Sequence, residues 1–284
     1  MNTVTVSTIE EYIEEVSKIK HSKISKTLYR GQANYEWPIH SSAFRRLLKS
    51  FPRISDIDLK IYLIELLNDA RRRIIETKSD TELLIEVQHF GGATNLIDFS
   101  KNPLVALYFA CNGEYGKAGT VFSLITESSH VKENFYEMKS DVLREKSISE
   151  ILALENKSAN LIKINPPFQN NRVIKQESVL IMTKDGTIDD SYIDTRIIIE
   201  KKAKKEILNK LECVYCISEE NLFIDFHGWA FQNSCSNWIS IDPNVFAEYA
   251  KKECSHDYSG NYEAIELYSK AIQLDAENKE YYFE

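Results

Sequence analysis

The stretch PLVALYFACN, residues 103 to 112, restricts the fold of this chain more than any other. Asn102-Pro103 is a strong helix start, because proline suits the first turn of a helix and cannot continue one from upstream. The helix it opens places Leu104, Leu107, Tyr108 and Cys111 on one face and is apolar nearly all round. A helix without a polar face has to be covered on several sides. The rest of the chain must therefore supply layers around residues 103–112.

The segment that feeds this helix, QHFGGATNLIDFS (residues 88–100), follows a helical pattern from Thr81 to Phe90 with Leu84 and Val87 turned inward. Gly91 suits a left-handed cap there, and NLIDF reads as extended chain. Upstream, Ser7 is placed as an N-cap with Glu10 three residues on, and Ile9, Tyr12, Ile13 and Val16 share one face. KTLYRGQ reads as a strand ending at Gly31, followed by a loop with Trp37 and Pro38. A helix over about 56–76 carries Leu59, Tyr62, Leu63, Leu66, Leu67 and Ile74. From Gly119 onward GTVFSLI, ANLIKI, RVIKQ, SVLIMT and TRIIIE are short β-branched runs and read as strands, before a helix at AKKEILNKLEC. Helices first and strands later, without regular βαβ alternation, indicate an α+β fold: a helical N-terminal half packed on a mostly antiparallel or mixed sheet.

The length of 284 residues allows one large domain plus an appendage. The division expected is an α+β domain over 1–240 and a helical hairpin over 245–284. The hairpin sequence SGNYEAIELYSKAIQLDAENKEYYFE resembles a tetratricopeptide repeat, with Ala264, Tyr268 and Ala271 at its small, aromatic and small positions and Asp275 before the usual proline site, here Ala276. Such a repeat implies a protein partner. A lone repeat cannot bury its own face, so the chain is read as truncated there or as docking the hairpin on the main domain. An ordinary amphipathic C-terminal hairpin is the alternative.

No apolar run approaches the roughly 18 residues that a membrane span needs, and MNTVTVSTIEEYIEE has no basic segment followed by an apolar one. The expectations are no membrane partner and a cytoplasmic location. The five cysteines, at 111, 213, 216, 235 and 254, are odd in number and read as reduced. Cys213 and Cys216 form a CxxC, half of a possible zinc site, but there is no second CxxC and His227 and Cys235 fall at no familiar ligand spacing. Buried structural thiols and no metal are expected. A net charge of −8 and a pI near 5.4 argue against coating nucleic acid by charge alone. The basic residues Arg45, Arg46, Lys49 and Arg71 to Arg73 leave nucleic-acid contact open beside the plainer reading of solvated helix faces.

YRGQANYEWPIHSSAFR, taken with QHFGGATNLIDFS and the helix after it, resembles the FRG domain family, named for a Phe-Arg-Gly motif. Tyr29, Arg30, Gly31, Gln32, Trp37 and Arg45 fit its first block. Gln88, His89, Phe90, Gly91, Thr94, Leu96, Asp98, Ser100, Pro103, Ala106, Tyr108, Phe109 and Ala110 fit its second. Arg172 with Gln176, and LFIDFHGWA, fit two later pieces, so the resemblance spans about residues 24–235. Tyr29 stands for the usual Phe, Ala93 for Pro, Asn95 for Arg, Phe99 for Trp and Ser100 for Thr. Asn95 in place of Arg removes a possible phosphate clamp.

By analogy the blocks can be set against the ADP-ribosyltransferase fold, in which an Arg or His on an early strand holds NAD, a middle hydroxyl or aromatic residue packs near nicotinamide and a late strand supplies a Glu. Arg30, Gly31, Gln32, Thr94 and Ser100 are then candidates for NAD binding, and Glu177, His89 and Asp98 for catalysis. Cleaving the nicotinamide bond builds positive charge on the ribose, which the Glu177 carboxylate would stabilise. A guanidinium beside Gly31 could pair with pyrophosphate, and His89 with Asp98 could move or orient a proton. Plainer roles stand beside each: an Arg30–Asp98 ion pair, His89 satisfying helix-end carbonyls, Thr94 and Ser100 capping turns, Glu177 an exposed strand residue, Trp37 in the core. The function expected is an NAD-using effector acting on a macromolecular acceptor, such as a toxin or antiphage-defence protein. The alternatives are a non-catalytic module for a nucleotide, nucleic acid or phospho-ligand, and a metal-dependent hydrolase using Asp98, His89 and Glu177.

Overall fold

The computed structural model describes residues 1–19, 27–126, 131, 135–138, 145–152, 160–166, 171–224, 247–248, 250–251 and 261–274. The chain divides into two compact units, Met1–His227 and Gly228–Glu284. No helix among the described residues is long and apolar enough to cross a membrane.

The first unit is built on an eight-stranded mixed sheet. Its strands are β1 (Asn2–Val6), β2 (Thr27–Gln32), β4 (Leu96–Ser100), β5 (Gly119–Ile125), β6 (Phe135–Met138), β7 (Leu161–Ile164), β8 (Ser178–Met182) and β10 (Thr195–Ile199), in the order β1-β10-β5-β2-β4-β8-β7-β6. The pairs β1 with β10 and β6 with β7 are parallel, and the other five are antiparallel. Two short strands, β3 (Ile39–His40) and β9 (Thr187–Ile188), pair separately. The described helices of this unit are α1 (Ile9–Lys18), α2 (Ser42–Leu48), α3 (Asp56–Arg71), α4 (Asp80–His89), α5 (Pro103–Cys111), α6 (Asn171–Lys175), α7 (Lys204–Tyr215) and α8 (Glu219–Leu222), with a further turn over 148–152. A mixed α/β fold on a large mixed sheet agrees with the expected class.

The apolar helix is central, as its composition requires. On α5, Val105, Ala106, Leu107, Ala110 and Cys111 are essentially inaccessible and join one core cluster with Ile9 and Tyr12 of α1, Ile207 and Leu211 of α7, and Val121, Ile197 and Ile199 of the sheet. Tyr12 reaches through to donate its hydroxyl to the Pro103 carbonyl at 2.7 Å. Contact with the sheet is direct. A Cβ added at Gly31 would lie 1.8 Å from the Ala106 carbonyl oxygen, and one at Gly119 would lie 2.0 Å from that of Ala110. These glycines are the flat seat on which the helix rests. A second cluster packs α2, α3 and α4 on Leu96, Ile162, Ile164, Leu180 and Met182 of the same face. A third lines the opposite face with Leu28, Ile97, Phe99, Phe122, Leu124, Val179 and Ile181.

The local chemistry departs from the sequence reading at several places. Helix α1 is capped by Thr8, whose hydroxyl accepts from Glu11 N–H, while Ser7 donates back to the Glu11 carboxylate. The reading with Ser7 as cap was one residue early, because two hydroxyl residues precede the helix. Helix α3 ends at Arg71, short of 76, and α2 was not foreseen. RVIKQ forms α6 instead of a strand: Glu177 adopts a left-handed conformation, φ 46°, which ends that helical turn before β8 begins at Ser178. Trp37 is 46% exposed, not part of the core. Cys213 and Cys216 are exposed at the end of α7, where Cys216 is the left-handed cap, and only Cys111 of the described cysteines is a buried thiol.

In the second unit the helix α9 (Asn261–Leu274) buries Ala271 against Ala247, with Tyr268 and Ile272 partly packed on them. Most of the expected partner helix around 245–257, with Asp275, Ala276, Cys235 and Cys254, lies outside the described residues.

Candidate functional site

The sheet is almost parted in its middle. Strands β2 and β4 pair at one position only, Tyr29 with Ser100, whereas β4 pairs with β8 along its whole length. A cleft of about 710 Å³ opens over this parting, between α4 and α5. Tyr29, Arg30 and Gly31 of β2, Asp98, Phe99 and Ser100 of β4, and Ser178 and Leu180 of β8 line it. Gln88 and His89 from α4 and Phe90 after it face Val105, Ala106 and Phe109 from α5. Arg172, Val173 and Gln176, on and just after α6, also line the cleft.

Arg30 answers the parting. Its Nη1 donates to the main-chain carbonyl of Asp98 at 2.7 Å, supplying a hydrogen bond where the β2–β4 ladder is missing. The plainer alternative, an Arg30–Asp98 ion pair, thus takes the form of a bond to the Asp98 backbone. Burial lowers the pKa of the guanidinium, opposed by the charge of the Asp98 carboxylate and assisted by that of Arg45. Arg30 Nε is enclosed and has no hydrogen-bond partner among the described residues. Tyr29 beside it is buried, and no hydrogen bond to its hydroxyl is made among the described residues; burial pushes its pKa up to about 12.

Asp98 is held by a chain of two side chains, Gln88 and Thr94. Gln88 Nε2 donates to Asp98 Oδ1 at 2.8 Å, Thr94 bonds Gln88 Oε1 through its hydroxyl, and the same hydroxyl accepts from Leu96 N–H at 3.2 Å. An ionised carboxylate only accepts, so the amide nitrogen of Gln88 must face Asp98. The amide oxygen is then left for Thr94, whose proton points to it. The carboxylate stays exposed on the cleft floor, and its second oxygen makes no hydrogen bond among the described residues. Thr94 itself is inaccessible and does not line the cleft. Its backbone is clasped by Ser42, which accepts from Thr94 N–H at 2.9 Å and donates to Thr94 O at 3.1 Å. A Thr94→Val variant keeps the shape but strands Leu96 N–H and Gln88 Oε1. It is expected to cost about 1–3 kcal/mol, measured by urea denaturation.

The other candidates separate into those in the cleft and those outside it. His89 lines the cleft and makes an edge contact with Phe90, ring centroids 5.2 Å apart. Ser100 lines it too, but its hydroxyl is engaged, donating to Gln176 O at 2.7 Å and accepting from Asn102 N–H at 2.9 Å. Gly31 has its face covered by the α5 backbone, so its close approach is to a helix and leaves no room for a pyrophosphate. Gln32 is buried away from the cleft, with Nε2 3.4 Å from the Pro38 carbonyl. Glu177 is exposed and does not line the cleft; it accepts from Asn102 Nδ2 at 3.1 Å, tying α6 to the start of α5. The structure thus brings Arg30, His89, Asp98 and Ser100 together and leaves Glu177, Gln32 and Thr94 out of reach of a ligand there.

Gln88, Gln176 and Arg172 are cleft residues that the functional reading left without a role. Arg172 stacks its guanidinium 4.4 Å from the centroid of Phe223, and Gln176 Nε2 donates to Leu222 O at 3.1 Å, so both fasten α6 to the end of α8. At the rim Lys78 is neutralised by Glu86, 2.7 Å away, and Glu76. Among the described residues no group of three or more His, Cys, Asp or Glu side chains could hold a metal ion.

A parted mixed sheet with a mixed-charge cleft over the parting characterises this α/β unit, and the cleft is of a size that small organic molecules occupy. Residues 25–118 match the FRG domain. The matched segment runs from β2 to just past α5 and contributes Arg30, Gln88, His89 and Asp98; Arg172, Gln176 and Glu177 fall beyond it. No curated protein and no solved structure matches the chain.

Proposed function

We propose that the cleft binds a nucleotide of the NAD class, and that Asp98 takes the role first given to Glu177 as the carboxylate facing the reacting sugar. The supporting observation is the convergence of Arg30, Gln88, His89 and Asp98, from two separate blocks of sequence, on one cleft of about 710 Å³. That volume is within the range of small-molecule sites. Loss of nicotinamide leaves positive charge on the ribose, and a carboxylate with one oxygen fixed by Gln88 and the other open to the cleft is suited to oppose it. His89 beside it can take or give a proton, while Phe90 and Phe109 offer apolar surface for a base. On this reading the chain is an ADP-ribosyltransferase-like effector, of toxin or antiphage type, whose tetratricopeptide-like helices would hold a protein partner.

The non-catalytic alternative has its own support: Thr94, Ser100 and Glu177 all spend their side chains on internal hydrogen bonds. Calorimetric titration of the full chain with NAD, together with an assay for nicotinamide release, separates the readings. Saturable binding and turnover are expected, with Asp98→Asn slower by about 10- to 100-fold and Glu177→Ala within about twofold of wild type. Binding without turnover would favour the recognition module. The NAD reading fails if the protein does not bind NAD, or if Glu177→Ala is as damaging as Asp98→Asn.

A further inference from the structure

The second concavity of the first unit lies across the Gly91–Asn95 loop from α2. Ser42, Arg45, Arg46, Lys49, Ser50 and Ala93 surround a shallow depression of about 600 Å³. Arg45, Arg46 and Lys49 are exposed, and none is ion-paired among the described residues. Arg45 Nη1 donates to the His40 carbonyl at 3.0 Å, and the Arg46 guanidinium carbon lies 5.8 Å from the Tyr62 ring centroid. The other basic run behaves differently: Arg71 pairs with Asp80, and Arg72 and Arg73 pair with Asp69 at 3.8 and 2.8 Å. Three cations are thus left uncompensated around one hollow of a chain whose net charge is −8.

We propose that this depression is a binding site for the phosphate group of a small phosphate-bearing ligand, distinct from the cleft over the β2–β4 parting. A phosphate dianion offsets the mutual repulsion of the three cations, and guanidinium groups present several N–H donors to its oxygens. Ser50 adds a hydroxyl that makes no hydrogen bond among the described residues, whereas that of Ser42 is already donated to Thr94 O. Basic residues in the last turn of α2 also complement the helix terminus. That effect does not account for Lys49 and Ser50, which lie past the helix and complete the hollow. A small ligand fits better than a nucleic-acid polymer, because the basic surface does not continue evenly through Arg71 to Arg73, whose three charges are opposed by the carboxylates of Asp80 and Asp69. The ligand would also touch the loop that orients Asp98, since Ala93 walls the depression and Ser42 clasps Thr94.

The test is calorimetric titration of the full chain with inorganic phosphate, pyrophosphate and AMP at ionic strength held constant with sodium chloride. Arg46→Gln/Lys49→Gln is the test variant, Arg72→Gln/Arg73→Gln the control, and a 20-nucleotide single strand a further probe. The expected result is saturable binding of at least one of the three small ligands, weakened about tenfold or more in the test variant and unchanged in the control. Asp98→Asn is expected to leave it intact, which separates this site from the cleft whether or not NAD binds there. Tighter binding by AMP than by phosphate and pyrophosphate would identify a nucleotide as the source. The proposal is overturned if no small ligand saturates at constant ionic strength, if the test variant binds as wild type, or if the oligonucleotide binds through these residues more tightly than pyrophosphate.

Discussion

Gly31→Ala will destabilise the first unit by at least about 3 kcal/mol, enough to unfold a marginal domain. The new Cβ would sit 1.8 Å from the Ala106 carbonyl oxygen and 2.8 Å from the Ala110 nitrogen. Both are main-chain atoms of α5, so no side chain can swing aside to make room. To accept the methyl group α5 must lift off β2, and α5 carries Leu107, Ala110 and Cys111 at the centre of the core. The same movement would displace Val105, Ala106 and Phe109 from the cleft wall, so ligand binding should fail together with stability. Gly91→Ala is the informative comparison. Nothing lies within 4 Å of its added Cβ, but its φ of 81° is left-handed, so the cost should be the conformational one of about 1 kcal/mol. Urea denaturation followed by circular dichroism measures both; equal losses would show that α5 does not rest on Gly31.

This pair of glycines illustrates which parts of the molecule the sequence makes legible. A left-handed cap at Gly91 follows from a helical pattern stopping at glycine, and the burial of residues 103–112 follows from their composition. Both signals are local. The seat at Gly31 depends on which helix crosses which strand, and YRGQ alone gives only a strand and a glycine. The site divides in the same way. His89 and Asp98 were legible because they lie in one short run of polar groups between apolar anchors, and Arg30 because its motif block stands apart. The link from Thr94 through Gln88 to Asp98 was not, since it joins a helix end to a strand across a glycine turn. Glu177 misled because RVIKQESVL contains enough β-branched residues to read as strand on both sides of it. Its left-handed backbone ends a helical turn instead, and its carboxylate turns to Asn102. No glycine marks that reversal, so no residue type announced it.

Lys204 shows the same limit from the side of charge, and its replacement should be nearly as costly as that of Gly31. In KKAKKE it is one of four lysines and reads as surface, yet it is completely inaccessible. From the start of α7 its ammonium reaches under the chain to donate to the carbonyls of Ala33 at 2.6 Å, Gly113 at 3.0 Å and Glu114 at 3.2 Å. Gly113 and Glu114 both have positive φ, so the turn after α5 directs its carbonyls inward and away from any helical partner. Lys204→Met keeps much of the apolar stem but leaves those three acceptors without their donor. The expected loss is about 3 kcal/mol, while Lys205→Met, exposed one residue further on, should change stability by less than about 0.5 kcal/mol. Burial lowers the Lys204 pKa, opposed by the charges of Cys111 and Glu114. Between that lowered value and the unfolded value near 10.4 the unfolded chain binds more protons than the folded one, so this residue makes stability rise with pH in that window. Wild type should therefore gain on Lys204→Met as denaturation midpoints are compared from neutral pH upward. A constant difference would mean that the lysine titrates alike in both states, and a difference near zero would mean that it does not hold the turn.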